Sequence, residues 1–403
     1  MNKKISFGSA LILTSFAVLL TFMLTFVNMN NTYNKILADT ELNNRIGNKL
    51  SEIDREVRRL FIGEIDNQLL LDAIADGYVR GLGDRYAEYM PADRYMEHIR
   101  LNQGRMVGIG VEVIFVEERG GLMEVTNVTP GSPAEVGGML IGDRICKVED
   151  ELISNLGYVE TIDRIRGEAD TDVTLTVLRQ GEVYEEELTL TFTRREVQIQ
   201  TIRYEFMRDN IGYIKVREFN QETPNEFKAA LDALEELGAT GFVFDVRNNG
   251  GGDLDGITDT LDYLLPEGPI IRIFYRGARE EVRYSGIENE LIAPMVVLMN
   301  ENTASAAELF CAALKDYEKA TLIGVTTFGK GTVQSINRLS DNSALKISSA
   351  RYAPPFSENY DGVGVEPHIE IRLDAESMGK PIERLSFEED LQLLEALRIL
   401  TYN

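Results

Sequence analysis

The chain has 403 residues, 44% of them hydrophobic, which is room for two or three domains with sizeable cores. A formal net charge of −25 argues against nucleic acid as a partner and against a polybasic membrane patch, and is read first as solubility. The two cysteines, Cys146 and Cys311, fall in segments of different pattern, which argues against a disulfide framework; Cys311 reads as a buried small apolar residue.

At the N-terminus, Lys3 and Lys4 precede an apolar, uncharged run from Ile5 to Val27. At ~1.5 Å per residue such a run crosses the ~30 Å core of a bilayer. The lysines would hold the N-terminus in the cytoplasm. No small-x-small site precedes Asn28, which favours an uncleaved anchor over a signal peptide. Everything after about residue 30 is then expected outside the cytoplasm. Leu42 to His98 reads as helices, broken by a turn at Gly81-Leu-Gly-Asp-Arg-Tyr86.

From Gln103 to Thr193 short strands alternate with turns. Val107-Gly108-Ile109-Gly110-Val111 is a glycine-rich entry to a strand. Ser132-Pro-Ala134, Gly138-Met-Leu140 and Gly142-Asp143 follow, and Val173 to Arg179 with Gly181 closes a hairpin. This order resembles a PDZ domain. The resemblance implies that Val107, Gly108, Ile109 and Gly110 present backbone N–H groups to a free C-terminal carboxylate, and that the next strand offers an edge to the peptide. The rival reading is a structural β-domain without a ligand.

From Arg194 the pattern turns α/β. Ile211 to Val216 and Gly241 to Val246 read as buried strands, and Pro224 to Leu237 as an amphipathic helix. The loop Arg247-Asn-Asn-Gly-Gly-Gly-Asp253 leads into a helix from Leu254 to Leu265. It lacks the spacing of a phosphate-binding loop. Ala293 to Met299 is a further buried strand, followed by a polar turn and a helix from Ala306 to Lys319. In a parallel sheet both loops emerge at one edge, where sites form.

Ser305 therefore sits on a strand–turn–helix corner, the placement of a nucleophile elbow without the G-x-S-x-G string. A serine before a helix is also an ordinary N-cap. As a nucleophile it needs a base. His98 lies in a polar helical stretch and His368 follows Pro367, so neither is well placed. Lys330, between Gly329 and Gly331, is the better candidate, because burial lowers a lysine pKa toward neutrality. Gln334 falls on the same face of an extended strand and could orient the amine.

Asn302-Thr-Ala-Ser-Ala-Ala-Glu308, Gly329-Lys-Gly331 and Gln334 together resemble the signature of the carboxy-terminal processing proteases. The resemblance implies Ser305 as nucleophile, Lys330 as general base, Gln334 as the residue orienting it, and backbone N–H groups of Gly251 and Ala306 as an oxyanion hole. It implies a coupling role for Arg166 between the PDZ domain and the protease site, although Asp170 replaces a usual glycine. Gly250 stands where the family often has proline, which would loosen that loop. Arg85 likewise replaces a proline, expected to change the turn only locally. The terminal helices are candidates for a homodimer contact.

The expected architecture is an α/β protease core of crotonase-like ββα units with an inserted β-rich PDZ domain, flanking helices and an N-terminal transmembrane helix. The expected boundaries are 1–30 for the anchor, 31–100 for a helical region, 101–193 for the PDZ domain, 194–375 for the core and 376–403 for a terminal helical region. The expected function is a single-pass, membrane-anchored bacterial serine endopeptidase, its catalytic domains extracytoplasmic, acting on proteins or peptides with a free C-terminus. No metal, nucleotide or other cofactor is expected. The alternative is a catalytically silent or partner-gated PDZ scaffold at the membrane.

Overall fold

The computed structural model describes residues 7–116, 121–181, 184–286, 290–374, 377 and 380–402. The chain divides into two compact units, one ending at Ile74 and the other beginning at Ala75. The first unit holds helix α1 (Phe7–Leu60). Among the described residues no helix is long and apolar enough to cross a membrane. Lys3, Lys4 and the start of the Ile5–Val27 run lie outside the described residues. Helix α2 (Asn67–Arg80) starts where Asp66 Oδ1 accepts from the N–H groups of Gln68 at 2.8 Å and Leu69 at 3.1 Å.

The second unit opens with strand β1 (Glu88–Met90) and helix α3 (Ala92–Asn102). The sequence pattern reads Glu88–Met90 as helical. It is a strand because it pairs with Ala344–Lys346 far along the chain. Next come β2 (Arg105–Gly108), β3 (Val111–Val116), β4 (Leu122–Val128), the short α4 (Pro133–Val136), β5 (Arg144–Val148), β6 (Glu151–Leu152), α5 (Ile153–Ile165), β7 (Asp172–Gln180), β8 (Glu185–Thr193) and β9 (Arg195–Gln198). Strands β3-β4-β5-β7-β8 form one antiparallel sheet, and β2 pairs with β9. Alternate residues Val173, Leu175 and Val177 of β7 face a core with Met123, Ile145, Ile153 and Phe192. Strand β3 ends the sheet order, so one of its edges has no strand beside it in that sheet.

The remaining elements are β10 (Ile202–Met207), β11 (Ile211–Val216), α6 (Thr223–Glu236), β12 (Gly241–Asp245), α7 (Leu254–Asp262), β13 (Gly268–Tyr275), β14 (Arg279–Ser285), β15 (Met295–Met299), α8 (Ala306–Asp316), β16 (Ala320–Gly324), β17 (Thr332–Arg338), β18 (Ala344–Ala353), β19 (Ile369–Glu370) and α9 (Leu391–Tyr402). One sheet runs β10-β11-β12-β15-β16-β19, parallel from β11 onward. Its inner strands β12 and β15 are buried along their whole length because both sides are covered. Phe242 and Phe244 of β12 face the cluster containing Phe227 and Phe310, while Val243 between them faces Ala396 and Leu397 of α9. Phe244 and Phe310 meet edge to face at 5.8 Å. A second sheet joins β1, β18, β13 and β14, with β17 alongside β18.

A buried ion network ties the start of α9 to the end of β12. Arg247, 2% exposed, donates to both oxygens of Asp245 and, at 2.9 and 2.8 Å, to both oxygens of Asp390. Lys215 Nζ donates to Asp245 at 3.2 Å and to the Arg247 carbonyl at 2.7 Å. Burial by itself would raise the Asp245 pKa, but Arg247 and Lys215 hold it well below the usual carboxylate range. Asp390 also accepts from the Leu393 N–H at 3.1 Å, so the helix begins at Leu391 rather than at Leu385, where the leucine spacing places it. Replacing Asp390 with Ala leaves the Arg247 guanidinium short of a partner and is expected to cost about 3–5 kcal/mol. Urea unfolding followed by tyrosine fluorescence, in a chain with no tryptophan, measures it.

Candidate active site

Strand β15 ends at Met299, and the chain turns over Asn300–Ala304 before α8. The turn is pinned to the loop after β12: Thr303 Oγ1 donates to the Val246 carbonyl at 2.9 Å, and the Ala304 N–H to the Asn249 carbonyl at 2.9 Å. The two loops thus sit side by side at one sheet edge, as the strand–loop–helix pattern predicts. Ser305 adopts φ 56° and ψ −118°. A left-handed backbone at a serine costs on the order of 1–3 kcal/mol and needs support from its surroundings.

Glu308 supplies that support. Its carboxylate is fully buried. Oε2 accepts from the Ser305 N–H at 2.8 Å and from the Lys330 N–H at 2.8 Å. Oε1 accepts from Thr327 Oγ1 at 2.5 Å and from the Gly329 N–H at 2.6 Å. One side chain therefore sets the serine corner against the lysine loop. Glu308 lies within the Asn302–Glu308 motif, whose spacing by itself does not reveal this role. The Ser-x-x-Glu spacing of a capping box was the available signal, and it gives only the helix-start half of the function.

Ser305, Ala306, Lys330 and Gln334 line one cleft of about 470 Å³, with Gly250, Gly252 and Tyr352. His98, set aside in the sequence reading, lines it too. Burial lowers the His98 pKa, and Lys346 adds to that effect. Lys330 is half-buried. Burial first, then the nearby charges of Lys346 and Arg85, lowers its pKa against the opposing pull of Glu308 and Asp84. Its Nζ lies 4.6 Å from the centre of the Tyr86 ring. Gln334 Nε2 donates to Thr332 Oγ1 at 3.0 Å, to the Thr332 carbonyl at 3.2 Å and to Ser348 Oγ at 3.4 Å. Strand β17 begins only at Thr332, so Lys330 precedes it, and the bulge in the pairing of β17 with β18 places its extra residue, Ser349, on β18.

Gly251 is a position where only glycine fits: at φ 102°, a Cβ would stand 2.8 Å from Ser305 Cβ and 2.9 Å from the Ala306 nitrogen. The Gly251 N–H donates to Asn249 Oδ1 at 2.8 Å. Asn249 is itself fully buried, its Nδ2 donating to the Val216 carbonyl at 3.0 Å, and the sequence reading did not single it out. Ala306 opens α8 and so carries one of the N–H groups that a helix start leaves without an intrahelical partner.

In the β-rich domain, Val107 and Gly108 pair with Glu196 and Arg195. The Ile109 carbonyl accepts from the Ala134 N–H at 2.8 Å and the Gly110 carbonyl from the Thr129 N–H at 2.9 Å. In a trans peptide the carbonyl and the next N–H point opposite ways, so the Gly110 and Val111 N–H groups face away from these partners. Arg166 lines a separate cavity of about 290 Å³ with Arg94, Arg100 and Arg105, and its Nε is buried without a hydrogen-bond partner. Its charge lies near Glu218, a residue of the Ser305 cleft whose pKa is raised by burial. Among the described residues no group of three or more His, Cys, Asp or Glu is placed to hold a metal ion.

Known proteins give the class first. Residues 124–179 match the PDZ domain model and residues 210–371 match peptidase family S41, so the chain is a serine-type peptidase that carries a PDZ domain. A carboxy-terminal-processing protease of Bartonella bacilliformis is 29% identical over 377 residues, covering 92% of this chain and 83% of that protein. The carboxy-terminal processing protease CtpA of Bacillus subtilis is 31% identical over 326 residues, 81% of this chain and 69% of that protein. The chain belongs to this family of carboxy-terminal processing proteases. A solved structure described as an S41 protease from Bacteroides fragilis, 19% identical, shares the fold with a TM-score of 0.57 over 81% of this chain and 90% of its own.

Replacing Glu308 with Ala strands several buried donors and frees both loops. It is expected to lower stability by about 3 kcal/mol and turnover by roughly 10²-fold or more. Thermal unfolding and cleavage of an unstructured protein, run on the same preparation, check both.

Proposed function

We propose that the chain is a membrane-anchored endopeptidase working through a Ser305–Lys330 dyad. The observation that carries this reading is the single buried Glu308 carboxylate that accepts from the backbone of both residues. Neutral Lys330 takes the Ser305 hydroxyl proton as Oγ attacks the scissile carbonyl. The Ala306 N–H, joined by the Gly251 N–H once it leaves Asn249, holds the resulting oxyanion. Lys330 then protonates the departing amine, and a water activated by the same amine releases the acyl group. Gln334 orients the lysine from the same cleft. The strand–loop–helix repeats support a crotonase-like description of the core.

The PDZ domain presents the substrate's C-terminal tail: the Gly110 and Val111 N–H groups receive the carboxylate and the free edge of β3 receives the peptide backbone. Arg166, beside Glu218, relays tail binding toward the cleft. The Ile5–Val27 run anchors the protein in a bacterial membrane with its catalytic domains outside the cytoplasm. Exposed Leu50, Ile53, Leu60 and Ile62 in the first unit support a homodimer.

A second reading, a partner-gated enzyme, has its own support. Lys330 rests over Tyr86, the Gly251 N–H is taken by Asn249, and the Gln334 amide is taken by Thr332 and Ser348. Each group is engaged away from the reaction and must shift before turnover.

The test compares the full-length parent in detergent with Ser305→Ala, Lys330→Ala and His98→Ala, on an unstructured protein ending in an apolar residue. Cleavage by the parent and His98→Ala, with at least ~10³-fold loss in the other two, is the expected result. Cleavage by Lys330→Ala at the parent rate sinks the dyad. Tail binding without cleavage by any variant points to the silent scaffold or, if a partner restores cleavage, to the gated enzyme. The parent's kcat/KM is expected to rise with pH through a midpoint below the ordinary lysine value, since the neutral amine is the working form.

A further inference from the structure

Lys330 does not have the Tyr86 ring to itself. The Arg85 guanidinium carbon lies 4.6 Å from the centre of that ring, the same distance as Lys330 Nζ, and 6.0 Å from the centre of the Phe328 ring. Two cations therefore address one aromatic ring. The backbone that carries the ring is anchored by Asp84. Asp84 accepts from the Ser348 N–H at 2.9 Å, from Ser348 Oγ at 3.1 Å and from the Tyr86 N–H at 3.0 Å. Strand β1 then pairs with β18 immediately afterwards. The Tyr86 hydroxyl is buried, and burial raises its pKa against the lowering pull of the adjacent Arg85 charge, so the ring stays neutral.

The charges facing Lys330 come from every element around it. Lys346 on β18 and Arg85 on the turn disfavour the protonated amine, while Glu308 on α8 and Asp84 on the turn favour it. Asp361 faces the Tyr86 hydroxyl.

We infer that Arg85 is a positioning residue for the reaction: by sharing the Tyr86 ring with Lys330, it disfavours the protonated amine at that perch and keeps the base neutral for the Ser305 proton. This rests on the reading of Lys330 as general base. The residue acts through Lys330 and touches no reacting atom. Its sign is definite. Removing the guanidinium charge raises the Lys330 pKa, so the acid limb of the rate profile moves to higher pH while the plateau above it stays.

The experiment measures kcat/KM against pH for the full-length parent, Arg85→Met and Arg85→Lys. Methionine keeps length and packing without charge, and lysine restores the charge. The expected result is an upward shift of the limb by about half a pH unit in Arg85→Met, hence roughly threefold lower activity on the limb, and a parent-like limb in Arg85→Lys. Unfolding midpoints confirm that both variants fold. The Lys330 side-chain signal in 13C-lysine-labelled protein, assigned with Lys330→Arg, reads the same shift without turnover. A limb and a titration that stay put in Arg85→Met overturn the inference, as does an equal loss at every pH. If Lys330→Ala keeps the parent's limb, it is the general-base reading that fails.

Discussion

The buried carboxylate of Glu308 is the constraint on which the site depends. Ser305 is held in a backbone conformation that a serine does not favour, and the lysine loop between two glycines has no secondary structure to fix it. An ionised carboxylate away from water must be met by donors. Here those donors are the N–H groups of Ser305, Gly329 and Lys330 and the hydroxyl of Thr327. Satisfying the charge and registering the two loops are one event, so neither loop can drift without exposing the cost of the other.

The loop after β12 is braced in a similar way from the opposite side. Arg247 lies between the carboxylates of Asp245 and Asp390, and its own carbonyl is held by Lys215. The residues that follow inherit that rigidity: Asn249 joins Val216 to Gly251, and Gly251 packs against the Ser305 corner with no space for a side chain. The C-terminal helix thereby belongs to the machinery of the site, although its residues lie on the far face of the sheet from the apolar cluster under α8.

The lysine is tuned by a surface assembled from distant segments. Tyr86 and Arg85 come from the turn after α2, Lys346 from β18 and Glu308 from α8. Burial does most of the work of lowering its pKa, and the balance of two cations against two carboxylates trims the result. A group that titrates in this setting responds to small displacements of the turn, which links the charge state of Lys330 to the position of elements outside the core.

Much of this was legible in the chain. Buried strands showed as short apolar runs and helices as apolar spacing, because these signals are local and repeat with the backbone's own period; Ser305, Lys330 and Gln334 stood out as a set through the resemblance to the carboxy-terminal processing proteases. The helix start at Leu391, the strand at Glu88–Met90 and the bulge before Gln334 were not, because each is set by a partner far along the chain: Arg247 in the first case and β18 in the other two. The same holds for Glu308, Asn249 and the Arg85–Tyr86–Lys330 contact. Sequence spacing can name the residue types that chemistry requires. Which hydrogen bonds and charges they meet depends on segments brought together by burial of the two sheets, and no local pattern encodes that meeting.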